Sequence, residues 1–379
     1  MLRLNLVASE VSSDTPGTIA TPAAAPTPAL ASPRKGAFRG PPPIIANAVR
    51  LYNRTVEKLF ALPQQLIEVW CHPLNRGSEL AAIARWIRWQ LASRVAARPI
   101  IVPFVGGTNL FARAGETGVT GNIYYGLAEY EEMAFALHLL RAGDVFVDIG
   151  ANAGSYSVLA SGVTGARTIA FEPIAETADR FEANVRLNQL EERVTLHRLG
   201  VGSGSGMLRF TTDRDTVNRV AIDGEAGTEI PIASLDEMLD GLSPTLVKLD
   251  VEGFESEVLA GARDTISRPS LLAIIVEIND SFRVYGGTLQ QVVQPLEAAG
   301  FRPYAYDPAT RSLHPLTGPN ARAGNTIFVR DESDSLERLR TANPISLRLH
   351  SRAIRSMDSL RFRSQPVPAA GSAAKRASW

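Results

Sequence analysis

The sequence predicts a doubly wound α/β domain built on an open, mostly parallel sheet. Three observations carry that prediction. From residue 129 onward, strand-like apolar runs alternate with helical patterns, the signature of crossover connections. Acidic residues close four of the first five of those runs. The turn after the first run, VDIGANAG at 147–154, holds two glycines and leads straight into a helical pattern.

The chain of 379 residues divides into four stretches. Residues 1–43 include a run rich in Pro, Ala, Ser and Thr (TPGTIATPAAAPTPALASP, then PPP), too poor in apolar surface to offset its ordering entropy, and are expected to be disordered. Residues 44–120 read as a helical and short-strand extension. Within it, SELAAIARWIRWQLASR puts Leu80, Ile83, Ile87 and Leu91 on one stripe and Arg85, Arg88 and Arg94 elsewhere. Trp86 and Trp89 with their flanking arginines suit a peripheral membrane contact or an anionic partner; a helix docked on the main domain is the favoured expectation. Residues 121–335 form the α/β domain, and 336–379 a mostly disordered tail.

Within the domain a helix at about 129–141 precedes the first strand, DVFVDIG, and a helix over SYSVLASGV leads to the second, RTIAFEP. The helix AETADRFEANVRLNQL leads to the third, RVTLHRLGV. GMLRFTT and TEIPI form a strand-like detour, after which Ser234 and Glu237 match a capping box. TLVKLDVEG is the fourth strand, followed by a helix FESEVLAGARDTI. LLAIIVEI is the fifth, followed by the helix TLQQVVQPLEAAG, and FRPYAYDP and NTIFVRD make a final antiparallel pair. The glycines of GVGSGSG (200–206) read as a flexible turn whose first residue passes near the ligand.

Composition narrows the function. Lys+Arg and Asp+Glu are both 39, so a generally basic nucleic-acid surface is not indicated. The single cysteine, Cys71, excludes an intramolecular disulfide and a cysteine metal cluster. No apolar run approaches the roughly 20 residues of a membrane span, and no secretory signal is visible, so the expected location is the cytoplasm.

In open α/β sheets ligands bind beyond the carboxyl ends of the strands. Those ends carry Asp148, Gly150, Glu172, Asp250, Glu252, Glu277 and Asn279. A phosphate loop would need GxxxxGK[ST], and a dinucleotide loop GxGxxG; the spacing Gly150, Asn152, Gly154 fits neither. Asp148 beside the turn also opposes a pyrophosphate and suits a ligand with a positive end. S-adenosylmethionine carries a sulfonium and an ammonium, and Glu172 is placed to accept hydrogen bonds from both ribose hydroxyls.

DVFVDIGANAGSYSVLAS, AFEP and VKLDVEGFESEVLAGA, with the lead-in TGNIYYGLAEYEEMAF, closely resemble the FkbM family of S-adenosylmethionine-dependent methyltransferases over roughly 120–330. The resemblance implies the seven-stranded, Rossmann-like class I methyltransferase fold and O-methylation of a sugar or natural-product hydroxyl. It implies that Asp148, Gly150, Asn152, Gly154 and Glu172 bind the cofactor, and it matches Lys248, Asp250, Glu252 and Gly253 to the family's fourth-strand motif.

The Asn/Asp-Pro-Pro-aromatic tetrad of many amino-group methyltransferases is absent at LDVEG, and Cys71 lies far from the rim, so a hydroxyl acceptor is favoured. A hydroxyl must lose its proton as the bond to carbon forms. Asp250 or Glu252 is the expected base or positioning group, with Lys248 tuning them and Glu277 next. His314, between the last two strands, competes for the role, whereas His72, His138, His197 and His350 are expected elsewhere. A divalent ion on Asp250, Asn279 and Asp280 is the minor alternative to a metal-free site. The competing function is a noncatalytic adapter whose α/β domain holds cofactor while the Arg/Trp helix docks to a membrane or partner. NAD-linked oxidoreduction is disfavoured by the glycine spacing.

Overall fold

The extension and the sheet share one apolar core, and the reason lies in the tryptophans of the first long helix. The computed structural model describes residues 64–211, 218–222, 224–320, 324–345 and 355–356; the stretch expected to be disordered at 1–43 lies outside them, as does most of the tail. Helix α1 (Glu79–Val95) buries Ala82, Trp86 and Trp89. These join Leu110, Phe135, Phe146 and Val158 in a single cluster. The tryptophans therefore face the domain and not a membrane, and Leu80, Ile87 and Leu91 of the expected apolar stripe point outward. Arg85 reinforces the docking by donating to the carbonyl of Tyr124 and to Asn75 Oδ1, both at 2.8 Å.

After α1 the chain forms an antiparallel pair, β1 (Ile100–Pro103) and β2 (Asn109–Ala112), then helices α2 (Thr117–Tyr125) and α3 (Tyr130–Leu139). The doubly wound part follows: β3 (Val145–Ile149), α4 (Ser155–Leu159) with a π-helical turn over Ala160–Thr164, β4 (Arg167–Phe171), α5 (Ala175–Leu187) and β5 (Val194–His197). Next come β6 (Gly200–Gly202), β7 (Gly206–Phe210), β8 (Thr228–Ser234), the short α6 (Leu235–Met238) and β9 (Leu246–Leu249). Helices α7 (Glu255–Ala260) and α8 (Arg263–Ser267), β10 (Ala273–Glu277), a 3-10 turn over Asp280–Tyr285 and α9 (Leu289–Ala298) lead to β11 (Arg302–Asp307), β12 (Ser312–Pro315), β13 (Asn325–Val329) and α10 (Glu332–Thr341).

The main sheet has the order β12-β11-β13-β10-β9-β3-β4-β5. Strands β10, β9, β3, β4 and β5 are mutually parallel, and β13 slots antiparallel between β10 and β11. Alternate side chains feed two cores, as the two-residue period of a strand requires. Phe146, Leu246, Ala273 and Ile275 face α3, α4 and α1. Val147, Val247, Ile274 and Val276 face α6 to α9 through Leu235, Val258, Ile266 and Leu296. Strand order runs outward from β3 in both directions, so the switch point lies at the carboxyl ends of β3 and β9. The capping box at Ser234 and Glu237 is present, and a second joins Thr288 to Gln291.

Four expectations change. The main sheet has eight strands and not seven, because SLHP pairs with β11 as an outer edge, too short and too polar to read as a strand beforehand. The glycine run is not a flexible turn: Gly200–Gly202 forms β6 and pairs in parallel with β8, in a small sheet of order β6-β8-β7. The helix over 254–266 breaks at Gly261, where a Cβ would lie 2.0 Å from the Gly202 carbonyl oxygen. At the far end α10 runs to Thr341, past the expected boundary at 335, and buries Leu339. Among the described residues no helix is long and apolar enough to cross a membrane.

The contact at Gly261 is testable. Gly261→Ala should lower stability by roughly 1–3 kcal/mol through overpacking, whereas Gly204→Ala, beside open space, should change it by less than about 0.5 kcal/mol. Urea unfolding followed by circular dichroism measures both.

Candidate active site

The turn after β3 is shaped first by backbone packing. Gly150 has φ +77°, and a Cβ there would lie 1.8 Å from the Asp250 carbonyl oxygen, so only glycine lets this turn press against the end of β9. The N–H groups of Gly150 and Ala151 donate to the Phe171 carbonyl, tying the same turn to β4. Asn152 has φ +50°, a conformation asparagine tolerates, and its Oδ1 accepts the Ala153 N–H at 2.7 Å. Gly154, at the N-cap of α4, packs on the Phe181 ring and does not line the cavity below, unlike Gly150 and Asn152.

Glu172, just beyond β4, is held by this turn. Its Oε2 accepts the Asn152 N–H at 3.0 Å and its Oε1 the Ile174 N–H at 2.9 Å. Burial nonetheless pushes its pKa up to about 7, against the pull of those two donors. Asp148 is 1% exposed, accepts the Ser157 hydroxyl at 2.6 Å, and is raised by burial to about 6.

On β9, Lys248 is buried with its Nζ 2.5 Å from Asp250 Oδ2 and 4.9 Å from the centre of the Tyr156 ring. Burial pulls its pKa down, but the carboxylates of Asp250, Glu129 and Asp148 outweigh that and leave it above the ordinary value. Carboxylate oxygens of Asp250, Glu252 and Glu277 lie within 4.8 Å of one another. Burial, with Asp250 and Glu255 adding repulsion, raises Glu252 to about 7. Glu277, at the end of β10, is driven well above the usual carboxyl range by burial and by Asp250 and Glu252. Glu252 sits at φ +54° and Glu255 steadies the turn around it by accepting the N–H groups of Val251 and Gly253.

These groups meet in a cavity of about 340 Å³, the size of a small-molecule site. Asp148, Gly150, Asn152, Glu172, Lys248, Asp250, Glu252 and Glu277 all line it. His314 does not: it is exposed on β12, bonded to Ser312 Oγ, three strands out from β10, or about 14 Å at ordinary strand spacing. His197, at the end of β5, stacks on Phe171. The oxygen set expected for a divalent ion is not assembled, since Asn279 caps the 3-10 turn through Ser281 N–H and Asp280 pairs with Arg283 in solvent. The trio Asp250, Glu252 and Glu277 offers donors of the right kind, but the Lys248 ammonium already neutralises Asp250.

Three wall residues escaped the sequence reading. Glu129 Oε2 accepts the Tyr156 hydroxyl at 2.5 Å and Asn325 Nδ2 at 3.0 Å. Its signal was an acid at the start of a helix that caps nothing there. Tyr156 lies in the helix after the glycine turn and was not singled out. Arg219, which pairs with Glu225 at 2.9 Å, reaches the cavity from the β7–β8 excursion, and no local pattern marks it.

Residues 148–303 match the family model of the methyltransferase FkbM domain. The hexuronic acid methyltransferase AglP of Haloferax volcanii is 32% identical over 155 residues, 40% of this chain and 62% of that protein. The AMB antimetabolite synthetase AmbE of Pseudomonas aeruginosa is 28% identical over 178 residues, 36% of this chain and 8% of that protein. The chain thus spans less than two thirds of the length of either relative. The crystal structure of methyltransferase FkbM from Methylobacillus flagellatus is 19% identical, covering 56% of this chain and 52% of that one, with a TM-score of 0.36.

Removing the buried cation should expose the repulsion it offsets. Lys248→Met is expected to destabilise the protein by about 3–5 kcal/mol at pH 8 and by clearly less at pH 5. The carboxyls left behind bind protons more tightly in the fold than in the unfolded chain, so their share of stability is present at low pH and lost as pH rises. Urea unfolding of both proteins at the two pH values measures the difference.

Proposed function

We propose that the FkbM methyltransferase domain at residues 148–303 makes this chain an S-adenosylmethionine-dependent O-methyltransferase acting on a hydroxyl of a sugar or a similar small molecule. The observation that carries the reading is the single cavity that joins the glycine turn and Glu172 on one side to the acid–base group of Lys248, Asp250, Glu252 and Glu277 on the other. The relative named for hexuronic acid makes sugars the first acceptors to try. We place the activity in the cytoplasm, where that methyl donor is made.

The donor set suits the cofactor. Both oxygens of Glu172 keep a lone pair beyond the backbone N–H groups they accept, enough to take the two ribose hydroxyls. The acidic lining suits a sulfonium and an ammonium. When bound, S-adenosylmethionine supplies an electrophilic methyl group. Glu252 would take the proton of the acceptor hydroxyl as that oxygen is methylated. Glu252 suits the base role because its pKa of about 7 matches the working pH. Glu277 stays protonated beside Asp250, and Asp250, fixed by Lys248, orients the hydroxyl.

Transfer of an isotope-labelled methyl group into sugar acceptors, followed by mass spectrometry, tests the reading; a cofactor-binding protein that labels no hydroxyl acceptor contradicts it. Glu252→Gln should reduce kcat by about 10²–10⁴-fold while leaving cofactor affinity within a factor of three or so in calorimetry. The wild-type kcat should fall tenfold per unit below about pH 7, because the working base must be ionised and its folded pKa is raised to about 7. Affinity for the cofactor should rise between pH 5.5 and 7.5 (roughly the interval over which raised carboxyls ionise), since Asp148, at about 6, must ionise to attract a cation and Glu172, at about 7, to accept both hydroxyls.

A further inference from the structure

We propose that the outward face of α1 is a docking surface for an anionic lipid bilayer. At about 100° per residue, Leu80, Ala84, Ile87, Leu91 and Val95 fall within an arc of about 80°, with Arg88 and Arg94 about 20° beyond its two edges. The arc lies opposite Ala82, Trp86 and Trp89, which hold the helix on the domain. Leu80 is 77% exposed, Ile87 46%, Leu91 65% and Val95 87%, and Ala84 is exposed as well. A helix tied down by its tryptophans has no need of a second apolar stripe for folding, and five neighbouring apolar side chains in water are unfavourable.

Charge selects the occupant. Glu79 is the one acidic residue of α1, and it lies in the first turn, off the arc. Arg88 and Arg94 are exposed at the borders of the stripe. A helix lying in the plane of a bilayer has this pattern: an apolar strip at acyl depth, bordered by long cationic side chains that reach up to headgroup phosphates. The inference is independent of the methyl-transfer reading.

Co-sedimentation of the full chain with vesicles of phosphatidylcholine alone, or with one third phosphatidylglycerol, tests it. The wild type should pellet with anionic vesicles at least tenfold more than with neutral ones. Ile87→Asp combined with Leu91→Asp should abolish pelleting, and Arg88→Glu combined with Arg94→Glu should remove the preference for phosphatidylglycerol. Both double variants change exposed side chains and should keep the wild-type thermal midpoint, which shows that they fold. Failure of the wild type to pellet with anionic vesicles, or pelleting that both variants retain, overturns the proposal. A wild-type dimer in light scattering that the aspartate variant breaks, without vesicle binding, identifies a second protein copy as the occupant and overturns it equally.

Discussion

The buried ammonium of Lys248 is the constraint on which the candidate site depends. At an effective dielectric constant near 20, two carboxylates about 4.8 Å apart repel by roughly 3 kcal/mol, and Asp250, Glu252 and Glu277 crowd to that distance. Such a group holds together only if positive charge or protons intervene. Lys248 supplies the charge from β9, the central strand beside the switch point, and the raised Glu277 supplies a proton. The lysine also lies over the Tyr156 ring, whose hydroxyl is given to Glu129, so the same cation steadies both walls of the cavity.

A second constraint couples the two halves. The turn at Gly150 lies against the Asp250 carbonyl, and the Asp250 N–H donates to the Ile149 carbonyl at 3.1 Å. The segment we assign to the cofactor and the segment we assign to the acceptor are therefore a single backbone contact, not two loops free to drift. Glu172 is fixed by the same turn through Asn152. Placement of a methyl donor and a hydroxyl within bond-forming reach needs this kind of rigidity, because alignment contributes as much to such a reaction as the base does.

The sequence made the rim legible because strand ends follow from topology. Once β3, β4, β9 and β10 are read as parallel, Asp148, Glu172, Asp250 and Glu277 must share an edge. The role of Gly150 was harder: its reason is a neighbouring backbone from a strand a hundred residues later, which no local pattern reveals. Arg219 was invisible for the same cause, since it reaches the cavity only when the excursion folds back. Helix α1 docks on the domain as favoured, but which of its faces does so was not legible. Its leucine–isoleucine stripe and its tryptophan pair are both periodic, and periodicity alone does not say which of two apolar faces turns inward.

The two halves of the cavity also differ in how they are held. The glycine turn and Glu172 are fixed by backbone hydrogen bonds within the parallel sheet. The opposite wall comes from the β7–β8 excursion, attached through the Tyr285 hydroxyl on the Val220 carbonyl and braced internally by the Arg219–Glu225 pair. Substitutions in the first half disturb the sheet itself, whereas side chains near Arg219 can change with little effect on β3, β4 or β9. The cavity therefore has one wall tied into the parallel sheet and another, with Asn218, Arg219 and Val220, whose side chains lie outside it.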